Sequence, residues 1–378
     1  MCPDRPGNPK SQGERWSVKI AFVTPAYPPH QGGLEIVTEL LVEALRERDN
    51  TVEVYAPPGI KHSWNVFGGS HLVGRIGSVP DIFHVQQCDL SVRYTALLKQ
   101  KYPHVPVVTT IHSMFRFDPS GYCRVRLSPI EPLRQILRIV PGKYFENESI
   151  CASDYIIVPS KTMEFICKEI REDSLVRTIP NGINLRQFSQ KEDMALGSGH
   201  PVILCSGRIF AEKGQLTLIE ALPEVLAHVD ATVCFVGGND PVYYQNLLDL
   251  AVENNVEKNI YFAGPRPYAE MPGIYRGADI VVAPSLSETF GMAILENMAM
   301  GNIVVASRVG AVPDLIDSEV NGMLVEPRDP HALAQAIIRG LTDKSLRRRI
   351  WENAPRKAAM FDIRKTAEEV EKIYQSVL

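Results

Sequence analysis

Short apolar runs alternate with amphipathic stretches along most of the chain. The run Val18–Thr24 (VKIAFVT) has the unbroken apolar character of a strand buried on both faces of a parallel sheet. A Pro/Gly-rich loop follows and ends at Gly32 and Gly33. From Glu35 to Arg48 the apolar residues Ile36, Val37, Leu40, Leu41, Ala44 and Leu45 recur at helical spacing. Thr51–Pro57 predicts a second strand. Further strands are predicted at Asp81–Val85, Val107–Ile111, Tyr155–Pro159 and Val176–Ile179, with helical stretches between them. This series closes at the turn Pro180-Asn181-Gly182.

After the polar, turn-rich stretch 189–200 a second series begins. Its predicted strands are Val202–Ser206, Thr232–Gly237, Ile260–Gly264, Ile280–Ser285 and Ile303–Ser307. Helical patterns lie at Gln215–His228, Tyr243–Asn254, Phe290–Met300 and Pro330–Leu341. Strands alternating with helices argue for open parallel sheets covered on both faces. Two series predict an α/β protein of two doubly wound, Rossmann-like domains. Ligands of such sheets bind beyond the carboxyl ends of the strands, which points to the cleft between the domains. The expected division is a loose tail over 1–16, a first domain over 17–188, a linker over 189–200, and a second domain from 201.

Composition narrows the class. A chain of 378 residues suits about two domains. Hydrophobic residues at 45% and charged residues at 22% are ordinary for a globular protein. Lys+Arg 40 against Asp+Glu 44 gives a net charge of -4, which argues against a nucleic-acid partner. Seven cysteines, an odd number with no C-x-x-C pair, suggest a reducing compartment, and the expectation is a cytoplasmic protein. The first residues lack the apolar stretch of a signal peptide, and no run of about 18 apolar residues occurs.

The richest stretch for chemistry is Ser285–Glu296 (SLSETFGMAILE). A strand ends there and a helix is expected to begin near Thr289, a reasonable N-cap. The free amides at Phe290, Gly291 and Met292 would then favour an anion such as a phosphate. Glu288 would sit just before that helix, and eight residues at helical rise would put it about 12 Å from Glu296 along the axis, a span suited to the two ends of a nucleotide sugar. The bland alternative is a helix start with a solvated Glu on each side. A second loop, Ser206–Gly214 (SGRIFAEKG), offers Gly207, Arg208 and Lys213. The two cations can converge on a diphosphate and stabilise it as a leaving group; the bland alternative is a pair of solvated surface charges. The Gly32-Gly33 loop could let backbone close over phosphates, or be a tight turn. It is not G-x-G-x-x-G, so the dinucleotide fingerprint is missing. His112 follows the strand VVTTI and would face the cleft, where it could bond a sugar or handle an acceptor proton. His84 is a weaker candidate of the same type. No Asp-x-Asp and no His/Cys cluster with ligand spacing occurs, so no metal and no resident cofactor is expected. The stretch 124–143 is basic and amphipathic. It reads either as a core-facing helix with solvated arginines or as a peripheral membrane contact.

These motifs, in this order, resemble glycosyltransferase family 4, the retaining group 1 glycosyltransferases of GT-B fold. The resemblance runs from Lys19 to the last helix and is strongest over 201–340. Its most specific element is E-x7-E, here Glu288 and Glu296. GRIFAEKG, GGLE with Gly33 and Glu35, IPNGINLRQF at Ile179–Phe188, ADIVVAPS and NGMLVEPRDPHALAQAI support it. It implies that Glu296 holds ribose hydroxyls and Glu288 donor-sugar hydroxyls. Arg208 and Lys213 would bind the diphosphate with Gly33 and the Phe290–Met292 amides. His112 would sit by the donor sugar and acceptor, and the base near Gly264–Arg266. It also implies metal-independent transfer with retention, and a final helix (Thr366–Val377, within 361–378) crossing back to the first domain, leaving 201–360 as the donor domain. Departures are mild: Ala311 where a second Gly is common, Asp314 for Glu, Asn184 for Asp, and no Trp in FDIRKTAEEV.

The expected activity is transfer of a hexosyl group from a UDP- or GDP-sugar to a glycan, lipid-linked or small-molecule acceptor. Rival readings are a sugar-nucleotide epimerase, which needs no acceptor, and a nucleotide-sugar-binding protein without turnover.

Overall fold

The computed structural model describes residues 17–27, 32–57, 69–88, 91, 93–113, 144–171, 175–189 and 200–378. The expected tail, most of the expected linker (190–199) and the basic stretch 124–143 lie outside the described residues. The described chain divides into two compact units. The first holds the residues up to Ser113, those from 144 to 182, and Ile363–Leu378; the second holds Ile183–Asp362.

In the first unit six parallel strands form one sheet. They are β1 (Lys19–Val23), β2 (Thr51–Tyr55), β3 (Ile82–Gln87), β4 (Val107–Ile111), β5 (Tyr155–Val158) and β6 (Val176–Thr178), in the order β2-β1-β3-β4-β5-β6. The helices α1 (Gly33–Arg46), α2 (Gly69–Gly74), α3 (Tyr94–Lys101), α4 (144–152) and α5 (Lys161–Lys168) link them. Apolar residues fill the sheet, but the buried carboxyl half of β3 is polar: His84, Gln86 and Gln87. Burying such groups costs several kcal/mol unless they are bonded, roughly 1–3 each in proteins. They find partners. His84 Nδ1 lies 2.5 Å from Tyr374 Oη and its Nε2 2.7 Å from Thr110 Oγ1, while Gln87 Oε1 accepts from Ser149 Oγ at 2.5 Å.

The second unit repeats the plan. Strands β7 (Val202–Ser206), β8 (Thr232–Val236), β9 (Ile260–Gly264), β10 (Ile280–Ala283), β11 (Val304–Ser307) and β12 (Met323–Val325) run in the order β12-β11-β10-β7-β8-β9, all parallel. Helices α6 (Gln215–Leu226), α7 (Pro241–Glu253), α8 (Met271–Arg276), α9 (Met292–Ala299), α10 (Val312–Leu315), α11 (Pro330–Thr342) and α12 (Lys344–Ala358) join them. Caps set several boundaries. Asp240 accepts from Tyr243 N, and Asp329 from Ala332 N, each at 2.8 Å with Pro at the first helical position. Each cap is worth about 1 kcal/mol. No helix among the described residues is long and apolar enough to cross a membrane.

In the second unit β12, α12 and the short helices α8 and α10 escaped the sequence pattern. β12 is only three residues long, and α12 is dominated by Lys and Arg and interrupted by Pro355, yet buries Leu346, Ile350, Ala354 and Ala358. The chain also leaves the first unit sooner than position 188. Ile183 and Phe188 are buried in the second core, with the Phe188 ring 5.8 Å from Tyr268 and 5.9 Å from Tyr275.

The last helix, α13 (Ile363–Val377), belongs to the first unit and packs on α1. Its buried Glu371 accepts from Arg48 Nε at 2.7 Å and Asn50 Nδ2 at 2.5 Å, and Thr366 Oγ1 donates to Pro180 O at 3.1 Å. At its start a Cβ on Gly182 would lie 2.4 Å from Ile363 Cα. Backbone meets backbone there, so a methyl group cannot be absorbed by a side-chain rotation. Gly182→Ala is therefore expected to cost about 1–3 kcal/mol, lowering the melting temperature of the first unit by several degrees in calorimetry. An unchanged melting profile would refute this contact.

Candidate active site

In the second unit β7 and β10 are neighbours although β8 and β9 separate them in sequence. The chain leaves these two strands towards opposite edges of the sheet. Such a switch point opens a crevice at the strands' carboxyl ends. The loops 207–214 and 284–291 lie there. Gly214 (φ +65) lets them touch: a Cβ on it would fall 2.0 Å from Pro284 O. Leu286 N and Ser287 N donate to Glu212 O at 2.8 and 3.4 Å. Gly237, after β8, abuts the same loop, with its Cβ position 1.9 Å from Gly207 O. Gly207 itself (φ +134) has open space where a side chain would stand.

Two predicted residues meet directly. Lys213 Nζ donates to Glu288 Oε2 at 2.6 Å, in a part-buried ion pair. Arg208 is more exposed, 3.2 Å from Glu212 Oε1, and its guanidinium lies 5.1 Å above the Phe210 ring. A third loop fixes Glu288. Gly310 (φ +51), after β11, comes so close that a Cβ would sit 1.8 Å from Glu288 O, and Ala311 N donates to that oxygen at 3.2 Å. Neither Gly310 nor Glu212 was singled out from the sequence. The Gly310-Ala311 pair after a strand was the available signal.

Glu296 is buried on α9. Tyr268 Oη donates to its Oε1 at 2.7 Å and Tyr275 Oη to its Oε2 at 2.9 Å. Burial pushes the Glu296 carboxyl up to about 7, against the opposing effect of the two tyrosine hydrogen bonds. The tyrosines were missed because uncharged aromatics near a helix read as core.

The start of α9 corrects the expectation for this stretch. The helix begins at Met292, its N-cap is Gly291 (φ +101), and Thr289 caps nothing. The first intrahelical bond is Leu295 N to Gly291 O, so the amides without helical partners are those of Met292, Ala293 and Ile294. Phe290 lies outside the helix with its ring buried, 6.0 Å from that of Phe361. Glu288 lies before the helix, as expected, but residues 289–291 between it and Met292 are not helical, so the span of about 12 Å by helical rise does not apply. Glycine won over threonine because the chain must turn sharply under Glu288. Arg266 is exposed in the turn after β9.

Four candidates belong to the first unit. Gly32 is the N-cap of α1, and the buried Glu35 folds its carboxylate over it, so that a Cβ on Gly32 would meet Oε2 at 2.3 Å. A side-chain anion therefore already stands at this helix start, which the dipole favours. A Cβ on Gly33 would meet nothing within 4 Å. His112 follows β4; its N donates to Gln87 O at 2.8 Å and its Nε2 lies 2.6 Å from Gln86 Oε1. Burial pushes its imidazolium down to about 4, so it is neutral at pH 7. It lines a narrow cavity with Gln86, Thr110, Asn181 and Thr366. His84, the weaker candidate, is instead a fully buried sheet residue satisfied by Tyr374 and Thr110.

Two Rossmann-like domains, each built on a parallel sheet, give the fold shared with structural neighbours that are GT-B glycosyltransferases. Family comparison gives the particular group. The family described as glycosyl transferases group 1 matches residues 187–357, and that described as glycosyltransferase family 4 matches 31–187. The chain belongs to these group 1 glycosyltransferases and is an enzyme of that type. A glycosyltransferase of Methanocaldococcus jannaschii is 29% identical over 374 residues, covering 89% of this chain and 92% of its own. The D-inositol 3-phosphate glycosyltransferase of Corynebacterium efficiens is 35% identical over 287 residues, 71% of this chain and 65% of its own. For the enzyme of that name from Corynebacterium jeikeium the match spans 52% of its length. Among solved structures, sucrose-phosphate synthase from Thermosynechococcus elongatus superposes with a TM-score of 0.78 at 23% identity, covering 95% of this chain and 99% of that one. Anabaena HepE in complex with UDP-glucose gives 0.73 at 20% identity, covering 95% and 100%.

Two predictions follow from this geometry. Glu296 has a folded pKa of about 7, above its unfolded value near 4.5. Between those values the folded state holds a proton that the unfolded state has lost, so stability falls as pH rises, by up to roughly 3 kcal/mol above pH 7. Glu296→Gln should abolish that slope. Melting curves from pH 4 to 8 that match wild type would show that Glu296 does not titrate this way. Gly310→Ala should displace the Glu288 backbone and lower transferase turnover at least tenfold in a protein that still folds. Full activity in that variant would contradict the contact.

Proposed function

We propose that the protein is a retaining, metal-independent hexosyltransferase of the cytoplasm that uses a nucleotide-diphosphate sugar, a UDP- or GDP-sugar. The observation that carries this reading is the switch point of the second sheet. There a part-buried Lys213–Glu288 pair, the exposed Arg208 and the buried Glu296 project from adjoining loops and α9.

Each role follows from the chemistry of its group. Arg208 offers a planar fork of donors to the diphosphate and Lys213 a compact charge. Lys213 stands between the diphosphate and Glu288, which keeps it oriented. Gly207, with no side chain, allows phosphate oxygens to approach backbone, and the Met292–Ile294 amides add fixed partial charge. Glu288 accepts from hydroxyls of the transferred sugar and Glu296 from those of the ribose, with Arg266 beside the base. In the first domain Gly33 and the neutral His112 are the groups proposed for contact with substrate.

In the reaction the bond between the anomeric carbon and the diphosphate oxygen breaks. The acceptor oxygen takes its place on the same face, and the acceptor proton passes to the departing diphosphate. Negative charge grows on the diphosphate as that bond breaks. Arg208 and Lys213 therefore bind the transition state more tightly than the ground state, which is the condition for acceleration. Relatives named as D-inositol 3-phosphate glycosyltransferases make a phosphorylated polyol the first small acceptor to test, beside glycan and lipid-linked acceptors.

A thermal-shift screen with UDP-Glc, UDP-GlcNAc, GDP-Man and ADP-Glc tests the reading. A true donor at a hundred times its Kd stabilises by about 2.7 kcal/mol. Arg208→Ala and Lys213→Ala should each reduce turnover by two orders of magnitude or more. No stabilisation by any nucleotide sugar, or wild-type turnover in both variants, would overturn it. Incubation with donor alone separates transfer from epimerisation: an epimerase converts the sugar without an acceptor.

A further inference from the structure

The two tyrosines on Glu296 are not explained by the roles above. We infer that Tyr268 and Tyr275 are positioning residues: they fix the Glu296 carboxylate so that its two remaining lone-pair directions face the vicinal hydroxyls of the donor's ribose. This rests on the reading of Glu296 as the ribose grip.

A carboxylate accepts about four hydrogen bonds, two at each oxygen. The structure fills one at each: Tyr268 on Oε1 at 2.7 Å and Tyr275 on Oε2 at 2.9 Å. One acceptor direction per oxygen is left, which is the pattern a vicinal diol satisfies with one donor to each oxygen. A single tyrosine would leave the carboxylate free to rotate about its last bond; two, one per oxygen, hold its plane.

The tyrosines are themselves braced. Phe188 lies against both rings, and Asn302 Nδ2 donates to Tyr275 O at 3.0 Å and to Asn297 Oδ1 at 2.7 Å, beside Glu296 in sequence. Behind Tyr275 stands Ser206. Its buried Oγ neighbours the Tyr275 hydroxyl and is placed to donate to it. A serine proton given to the Tyr275 oxygen leaves the tyrosine proton for Glu296 alone. Ser206 immediately precedes Gly207 and Arg208, so this row of hydroxyls runs from the diphosphate loop to the ribose grip.

Both tyrosines donate to the carboxylate form, and burial works against that form. Burial and the Glu296 charge push the Tyr275 hydroxyl well above its ordinary value, so it remains a donor throughout the neutral range. Removing one donor should therefore leave Glu296 protonated at higher pH and weaken the diol contact at pH 7.

The test uses Tyr275→Phe and Tyr268→Phe in the full chain, with UDP and GDP titrated calorimetrically from pH 6 to 9. Each variant should bind the better nucleotide roughly ten- to a hundredfold more weakly at pH 7, and regain affinity towards pH 9. At saturating donor kcat should stay within a few-fold of wild type. With the 2′,3′-dideoxy nucleotide the difference between wild type and variant should vanish. Infrared titration of the Glu296 carboxyl, taken as the difference from Glu296→Gln, should move its midpoint upward in both variants. Wild-type affinity at every pH, or an unmoved midpoint, in a folded variant overturns the proposal, as does a loss of stability with no change in the pH profile. Should Tyr275→Phe fail to fold, Tyr268→Phe, only half-buried, decides the matter. If wild type binds no nucleotide at all, the functional reading falls, while the infrared midpoint still rules on the tyrosines.

Discussion

The site of the second domain depends on backbone meeting backbone. Gly214 against the Pro284 carbonyl and Gly310 against the Glu288 carbonyl leave no room for a Cβ. All three loops that leave β7, β10 and β11 are drawn together by these contacts. Glycine is required twice over, by positive φ and by lack of space. The loops carry the charged side chains, but the glycines decide where those side chains stand.

Once the loops are fixed, burial sorts the acids. Glu288 is paired with Lys213, so its charge is met by an opposite one. Glu296 has no cation beside it among the groups that shift it; two tyrosines are its partners and burial raises its pKa. Two glutamates eight residues apart are thereby given different chemistry. One shares its charge with Lys213, the lysine proposed to bind the diphosphate, and the other accepts from two neutral tyrosine hydroxyls. Neither arrangement favours stability for its own sake, since a buried carboxylate costs more than it returns unless its bonds are made. Such a cost is sustained where a ligand will use the group.

The first domain solves a different problem. Its sheet buries His84, Gln86 and Gln87 on one strand, and α13, drawn from the far end of the sequence, supplies Tyr374 to His84. The same helix answers Arg48 and Asn50 with Glu371. The chain terminus is therefore part of the first core, and the first domain is complete only when the last residues have been made.

The sequence by itself determined the alternation of strands and helices, because an apolar run of five residues and an amphipathic stretch of twelve have few other places to go. It also marked Arg208, Lys213, Glu288 and Glu296 as candidates, the first three as charges in loops that follow strands and Glu296 through the E-x7-E spacing that resembles the family's. Tertiary structure decided what each of these touches. The helix starts after Gly291 (φ +101) and not at Thr289, and the Glu288 carbonyl just before it is packed against Gly310, far along the chain. The tyrosines on Glu296 come from residues 268 and 275, and no local pattern marks them as its partners. His84 and His112 look alike at the ends of neighbouring strands, yet only packing makes one a core residue and leaves the other on a cavity. Periodicity records which face of an element is buried; it carries no record of which distant group lies opposite.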